Sequence, residues 1–512
     1  MKCLFSIENT RFTRRINHRG LRGSLINDPK GQNGCAVLKT GSVTEQHMKR
    51  LLFIFLLGVV VGCFALPSYA QTTEFFQVDD LHEGMKGVGR TVFQGTTIEE
   101  FDVEILGVLK NAAPKQDMVL ARISGGPIEQ AGIMQGMSGS PIYIDGRLLG
   151  ALAFAFEFSK EPIAGIQPIS QMVSVLEQVG DERVHQGSFP VENPHAYVNR
   201  LMVGAAAGDG IEEYLLPQFW MKSHPVLASF ATAGLTHIRT PLFISGASPV
   251  AVRQFSGLFG DLGFTPVKGG GAGSAAQLLV SNDMIEPGAS INAELVRGDI
   301  SVSANGTVTH VDGDKVFAFG HPFLSTGPTD VPMSKGYVIA HIPSVAMSFK
   351  IAVPLEVVGA FKQDRATGLF GTLGEAAQMI PVRVDLHSSR DITEHYEYEV
   401  INDRFLTPLM MNFTIFNAIL ASERSLGEST LEVRGTIRLK SGERVEIGNA
   451  FAGDMNGPAQ ATIATVAPIT YLLSGGFEDL VIDSVELDIV SNDRKRSAHL
   501  EALRIDRTAV RP

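Results

Sequence analysis

Cysteine is almost absent from this chain of 512 residues: Cys3, Cys35 and Cys63 are all there are. A product that begins after the apolar segment around residue 60 therefore has no disulfide, no thiol nucleophile and no cysteine–metal site. Basic charge is scarce as well. The 442 residues after Ala70 carry 33 Lys and Arg against 51 Asp and Glu, a net charge of −18 that argues against nucleic acid as a partner. His-Glu-x-x-His and calcium-loop spacings are missing, so no metal is expected. The glycines of KGGGAGSAAQ (residues 268–277) lack the Lys-Ser/Thr of a phosphate loop and read as a flexible connection, which leaves no cofactor in view.

Long apolar runs are also few. The prominent one lies in MKRLLFIFLLGVVVGCFALPSYA, residues 48–70, where basic charge, an apolar stretch and a small-residue end read as a secretory leader cleaved after Ala70. The stretch is too short and wrongly flanked for a stable membrane span. Residues 1–47 then read as an extension outside the working protein, with Met48 as the start. Val60-Val61-Gly62-Cys63 offers the alternative of a lipoprotein box with Cys63 lipidated, so contact with a membrane is expected only through the leader or that lipid. The expected location is exported: periplasmic, cell-envelope or extracellular.

With 44% hydrophobic residues, the remaining chain can support about two to four cores. Residues 71–180 show short β-runs broken by glycine, with Asp145-Gly146 as a hairpin signal and ISQMVSVLEQV (169–179) as a closing helix. Residues 181–285 change character and read as an α/β insertion that contains the amphipathic stretch SPVAVRQFSGLFGDLGF and ends in the glycine-rich linker. A second β-rich block covers 286–390, with a turn at Asp312-Gly313. A C-terminal β-rich domain, 391–512, includes one apolar helix candidate, TPLMMNFTIFNAILASE. The expected fold class is mainly β.

Two fragments carry candidate chemistry. QGMSGSPIYIDGRLLGALAF (135–154) puts Ser138 on a glycine-flanked turn ahead of a strand, where the amides of Gly136 and Ser138 could converge on an oxyanion. An ordinary Gly-Ser turn is the plain alternative. DKVFAFGHPF (314–323) sets His321 directly after a strand, a place for a general base or for a histidine satisfied by a turn carbonyl. His310, His341 and His387, on similar β-stretches, read as structural.

At these fragments the chain resembles the SpoIVB peptidases, serine peptidase family fifty-five. IEEFDVEILGV (98–108) and QGMSGSPIYIDGRLLGAL resemble the family's serine segment, and GTVTHVDGDKVFAFGHPF (306–323) and VVGAFKQDRATGLFGTLG (357–374) its histidine segment. The resemblance implies a chymotrypsin-like pair of six-stranded β-barrels with the site between them, Ser138 as nucleophile and His321 as base. Two departures stand out. The serine precedes the histidine by 183 residues, the reverse of the family's order, and the family's aspartate shortly before the serine is missing from ISGGPIEQAG, where Glu129 is the one carboxylate. Triads are defined by geometry, so order alone forbids nothing. Asp330, Asp364 and Glu129 are candidate orienting acids, and Asp364, 43 residues after His321, is chosen. The sequence thus points to an exported serine endopeptidase acting on polypeptide. An inactive double-barrel binding or assembly protein is the alternative, and a protease restricted to itself or a single partner is a third reading.

Overall fold

The computed structural model describes residues 75–179 except 157, together with 235–269, 284–389, 392–422, 429–453, 457–475, 477, 480–498 and 501. The expected leader with Cys63 and Ala70, residues 1–47, most of the insertion and nearly all of the glycine-rich linker lie outside them.

Glycine-punctuated, alternating runs build the first barrel. Its elements are β1 (Lys86–Val92), β2 (Ile98–Ala113), β3 (Gln116–Ser124), the single turn α1 (Ile128–Ala131), β4 (Met134–Gln135), β5 (Pro141–Ile144), β6 (Arg147–Phe156), β7 (Ile163–Pro168) and the closing helix α2 (Ile169–Val179). In β2, Phe101, Val103 and Ile105 are buried while Glu100 and Asp102 are exposed, the period of a strand with one face in the core. β6 has no such alternation. It is buried from Leu148 to Phe154, as a strand covered on both faces must be. The strands run β5-β1-β2-β3-β7-β6, and pairing of β5 with β6 closes the ring. The β5–β6 link uses Asp145 and Gly146, with φ of 50° and 75°, the two left-handed residues that a two-residue hairpin turn of this hand requires.

β8 (Leu235–His237) pairs with β6 and adds to the first sheet, and the second half comprises β9 (Thr240–Ser245), α3 (Pro249–Asp261), β10 (Phe264–Lys268), β11 (Ser290–Gly298), β12 (Ser301–Asp312), β13 (Lys315–Ala318), β14 (Gly327–Ile342), β15 (Ser348–Arg365) and β16 (Gly368–Leu373). Strands β11-β12-β13-β16-β15-β14 form a second antiparallel ring closed by β14–β11 pairing. Parallel β9 and β10, joined through α3, extend it from β12, as an α/β unit should. On the other side β11 pairs with β18 (Thr393–Ile401), and the sheet continues in the order β17 (Met379–His387), β21 (Ile482–Asn492), β19 (Ser429–Leu439) and β20 (Arg444–Gly453), with helices α4 (Leu406–Ser422) and α5 (Gly457–Ser474) packed against it. The fold is mainly β and matches the expected chymotrypsin-like double barrel.

The barrels meet through several sets of contacts. Leu148, Ala151, Ile169 and Met172 of the first share a buried cluster with Phe317 and Phe370 of the second. β4 pairs in parallel with the start of β15, Met134 opposite Ser348, and Gly95 bridges Val338. The site is positioned by this seam.

α3 is anchored to the C-terminal region by rings, Phe255 lying 5.5 Å from Phe413 and 5.8 Å from Phe416. Phe255→Ala should therefore cost about 3–5 kcal/mol, read as a lowered urea midpoint. A change below about 1 kcal/mol would show that α3 does not pack on α4.

Candidate active site

Ser138 sits on the turn between β4 and β5. Within the turn the Met137 amide donates to the Met134 carbonyl at 3.1 Å and the Ser140 amide to the Met137 carbonyl at 2.9 Å. β12 of the other barrel closes over it. The Thr307 amide donates to the Ser138 carbonyl at 2.8 Å, the Thr307 hydroxyl to the Gly136 carbonyl at 3.0 Å, and the Thr309 hydroxyl to the Gly139 carbonyl at 2.8 Å. The approach is close enough to demand glycine. Gly139 has φ +95°, and a Cβ there would stand 2.0 Å from the Thr307 carbonyl oxygen and 2.5 Å from the Phe319 nitrogen.

His321 follows β13 by a sharp change of direction. Phe319 and Gly320 both adopt left-handed backbone, with φ of 67° and 70°, and for phenylalanine this is a strained choice held by its surroundings. The Gly139 amide donates to the Leu152 carbonyl at 2.7 Å, and a Cβ on Gly320 would lie 3.6 Å from the same oxygen. β6 thus packs against both loops, the one that carries Ser138 and the one that leads to His321, 183 residues apart in sequence.

Ser138 is 0% and His321 3% exposed, and among the described residues neither Ser138 Oγ nor His321 Nε2 has a hydrogen-bond partner, so the two do not bond each other here. The ring's Nδ1 is 2.9 Å from the Pro322 carbonyl oxygen. A carbonyl only accepts, so Nδ1 carries the hydrogen and Nε2 presents its lone pair. Burial holds the imidazole's pKa down at about 4, against the rise that the Pro322 carbonyl alone would give. The group is neutral near pH 7, in the tautomer of a base.

The three acid candidates separate clearly. Asp364, on β15, is buried beneath the His321 loop, and its oxygens accept from the amides of Phe323 at 2.8 Å, Leu324 at 2.7 Å and Thr326 at 3.3 Å. Burial raises its pKa to about 6 despite those bonds. Asp330 pairs with Lys362 at 2.8 Å, and Glu129 accepts from the Gly125 amide. Among the described residues, no carboxylate hydrogen-bonds the His321 ring. His310 packs against Phe75 and Phe317, and His387 bonds Thr393 and Asp488. Among the described residues, no three His, Cys, Asp or Glu side chains come together as a metal site would need.

Two further residues belong to this setting. The ring of His237, on β8, lies 5.3 Å from that of His321 and 4.7 Å from that of Phe154, and burial and the neighbouring imidazole bring its pKa to about 3. Lys350, on β15, is 1% exposed, and its stem passes 3.5 Å from where a Cβ on Gly136 would stand. Its ammonium donates to the Thr91 hydroxyl at 2.7 Å, and burial brings its pKa to about 7. Thr91 lies in turn 3.5 Å from the Thr307 hydroxyl that holds Gly136. Sequence reasoning missed both residues. The lone lysine in SFKIAVPL offered a signal, a charge inside an apolar strand, whereas His237 offered none.

The family model described as SpoIVB peptidase S55 matches residues 56–171, a span that contains Ser138 and ends before His321. The match supports the SpoIVB resemblance, and a serine peptidase at the level of the family. Neither the curated proteins nor the solved structures give a significant match.

The buried imidazoles make a pH prediction. Unfolding returns His237 and His321 to the ordinary value of 6.5, so their contribution is present above pH 6.5 and is lost as pH falls toward 4. Asp364 runs the other way, stabilising the folded state below its ordinary 3.8 and ceasing to do so as pH rises through about 6. Urea unfolding of wild type and of a His237→Asn/His321→Asn variant between pH 7 and 4.5 should show a flatter loss on the acid side in the variant. Identical slopes would contradict the assignment.

Proposed function

We propose that the chain is an exported serine endopeptidase that cleaves polypeptides by acyl transfer. The observation that carries this reading is that the serine turn and the loop leading to His321 pack together across the seam, a Cβ on Gly139 standing 2.5 Å from the Phe319 nitrogen, with Ser138 Oγ and His321 Nε2 both buried. His321 takes the hydroxyl proton as Ser138 attacks the substrate carbonyl, and returns it to the departing amine. The amides of Gly136 and Ser138 receive the oxyanion, an arrangement worth about 3–4 kcal/mol per donor in other hydrolases.

The Pro322 carbonyl takes the orienting role that a carboxylate has in a full triad. It selects the same tautomer and gives less stabilisation to the imidazolium. Asp364 acts one step away, as a positioning residue whose carboxylate gathers the amides following His321. Export rests on the leader at residues 48–70, with cleavage after Ala70. A non-catalytic double-barrel binding module is the competing reading, favoured by the complete burial of Ser138 and by the missing carboxylate on His321.

Labelling by a fluorophosphonate probe separates the two. Wild type should label, Ser138→Ala should not, and His321→Ala should label at least ~100-fold more slowly. Because the imidazole is already neutral well below pH 6.5, the acid limb of the wild-type rate should fall near pH 4 to 5. Equal labelling of wild type and His321→Ala, or none of wild type, would favour the binding module.

A further inference from the structure

One edge of β6 carries three neighbours in succession. β5 pairs with it from Arg147 to Ala151, the serine turn takes Leu152 through the Gly139 amide, and β8 takes Phe154–Phe156, with His237 opposite Phe154, Thr236 opposite Ala155 and Leu235 opposite Phe156. The Ile238 amide continues the pairing by donating to the Ala153 carbonyl at 2.9 Å. β8 runs antiparallel to β6, so the chain passes from Phe156 toward the serine turn and reaches it just after Ile238.

This is the path of a bound peptide. A peptidase must hold its substrate extended, with backbone paired to a fixed edge and one carbonyl delivered to the nucleophile. Leu235–Ile238 meet the first two requirements and run toward the serine turn. Their backbone adds a strand, the His237 ring lies against both Phe154 and His321, and Ile238 is 2% exposed within the buried cluster that includes Met134, Met137 and Leu152. Beside them a groove of about 250 Å³, lined by Gln135, Phe158 and Val345 among others, opens to solvent, with Val345 99% exposed.

We propose that residues 235–238 are a pseudosubstrate of this chain, occupying the groove along β6 that an extended peptide takes. The groove's preferred ligand is a peptide that ends, at the residue giving up its carbonyl, in a branched aliphatic side chain preceded by a flat ring. The inference rests on the proposed peptidase reading for the meaning of the groove, and its test needs no catalysis.

The test uses the full chain in a Ser138→Ala background with a fluorescent synthetic peptide of sequence Leu-Thr-His-Ile. Ile238→Asp places a charge in the aliphatic pocket and Ile238→Pro removes the amide bonded to Ala153, so each releases the strap by a different route. Either variant that keeps the parent's circular dichroism spectrum should bind the peptide at least about tenfold more tightly than the strap-intact chain. Phe154→Ala should cancel the gain, and Leu-Thr-His-Asp should not bind. Folded variants with no gain, or loss of the fold in both, would overturn the proposal and leave β8 a structural strand. Peptide binding without probe labelling of the Ile238→Asp and Ile238→Pro variants that retain Ser138 would sink the peptidase reading alone, and labelling without a gain in binding would sink the pseudosubstrate alone.

Discussion

Three carbonyls of the serine turn are held by one strand of the other barrel, and the rest of the site depends on that clamp. A turn this buried cannot leave its peptide oxygens to solvent, and unpaired ones would each cost free energy comparable to a lost hydrogen bond. Thr307 and Thr309 satisfy Gly136, Ser138 and Gly139 across the seam, from positions about 170 residues away in sequence. The same contact requires glycine at 139, where any side chain would displace β12 and the start of the His321 loop together. Registration of the two barrels and placement of the two candidate side chains are therefore a single constraint.

The seam is also deeply buried, which determines its electrostatics. Desolvation is the leading cause of the shifts at His321, His237, Asp364 and Lys350, and it drives each toward its uncharged form. In such surroundings a neutral imidazole with its hydrogen fixed on Nδ1 is a ready acceptor, and the carbonyl that fixes it demands no second buried charge. Lys350 adds to the same clamp through Thr91, whose hydroxyl lies beside the Thr307 hydroxyl that holds Gly136.

Local pattern made much of the fold legible. The alternation in FDVEI, the Asp-Gly turn before Arg147, the helix spacing of ISQMVSVLEQV and the apolar run that became α4 all reappear as elements, because each reflects a period or a turn conformation set by a few adjacent residues. Ser138 and His321 stood out by their glycine-marked settings and by a resemblance that the family match supports over residues 56–171, a span that holds Ser138 and not His321. The surroundings of the imidazole were not. Separation along the chain suggested that Asp364 could stand behind the ring, and the fold does bring it close, yet the unpaired amides after Pro322 claim its oxygens. His237 and Lys350 were invisible for the same reason: each matters through a neighbour from a distant strand.

The sequence alone determined the mainly β character, the turn chemistry, the scarcity of basic charge and the absence of cysteine after residue 63, since all are properties of composition or of short windows. Tertiary structure decided which carbonyl fixes the His321 tautomer, which amides Asp364 serves, and which segment lies along β6 beside the serine. Those outcomes follow from how two closed barrels pack, and steric fit and the pairing of buried polar groups across a seam are set by residues that no local pattern connects.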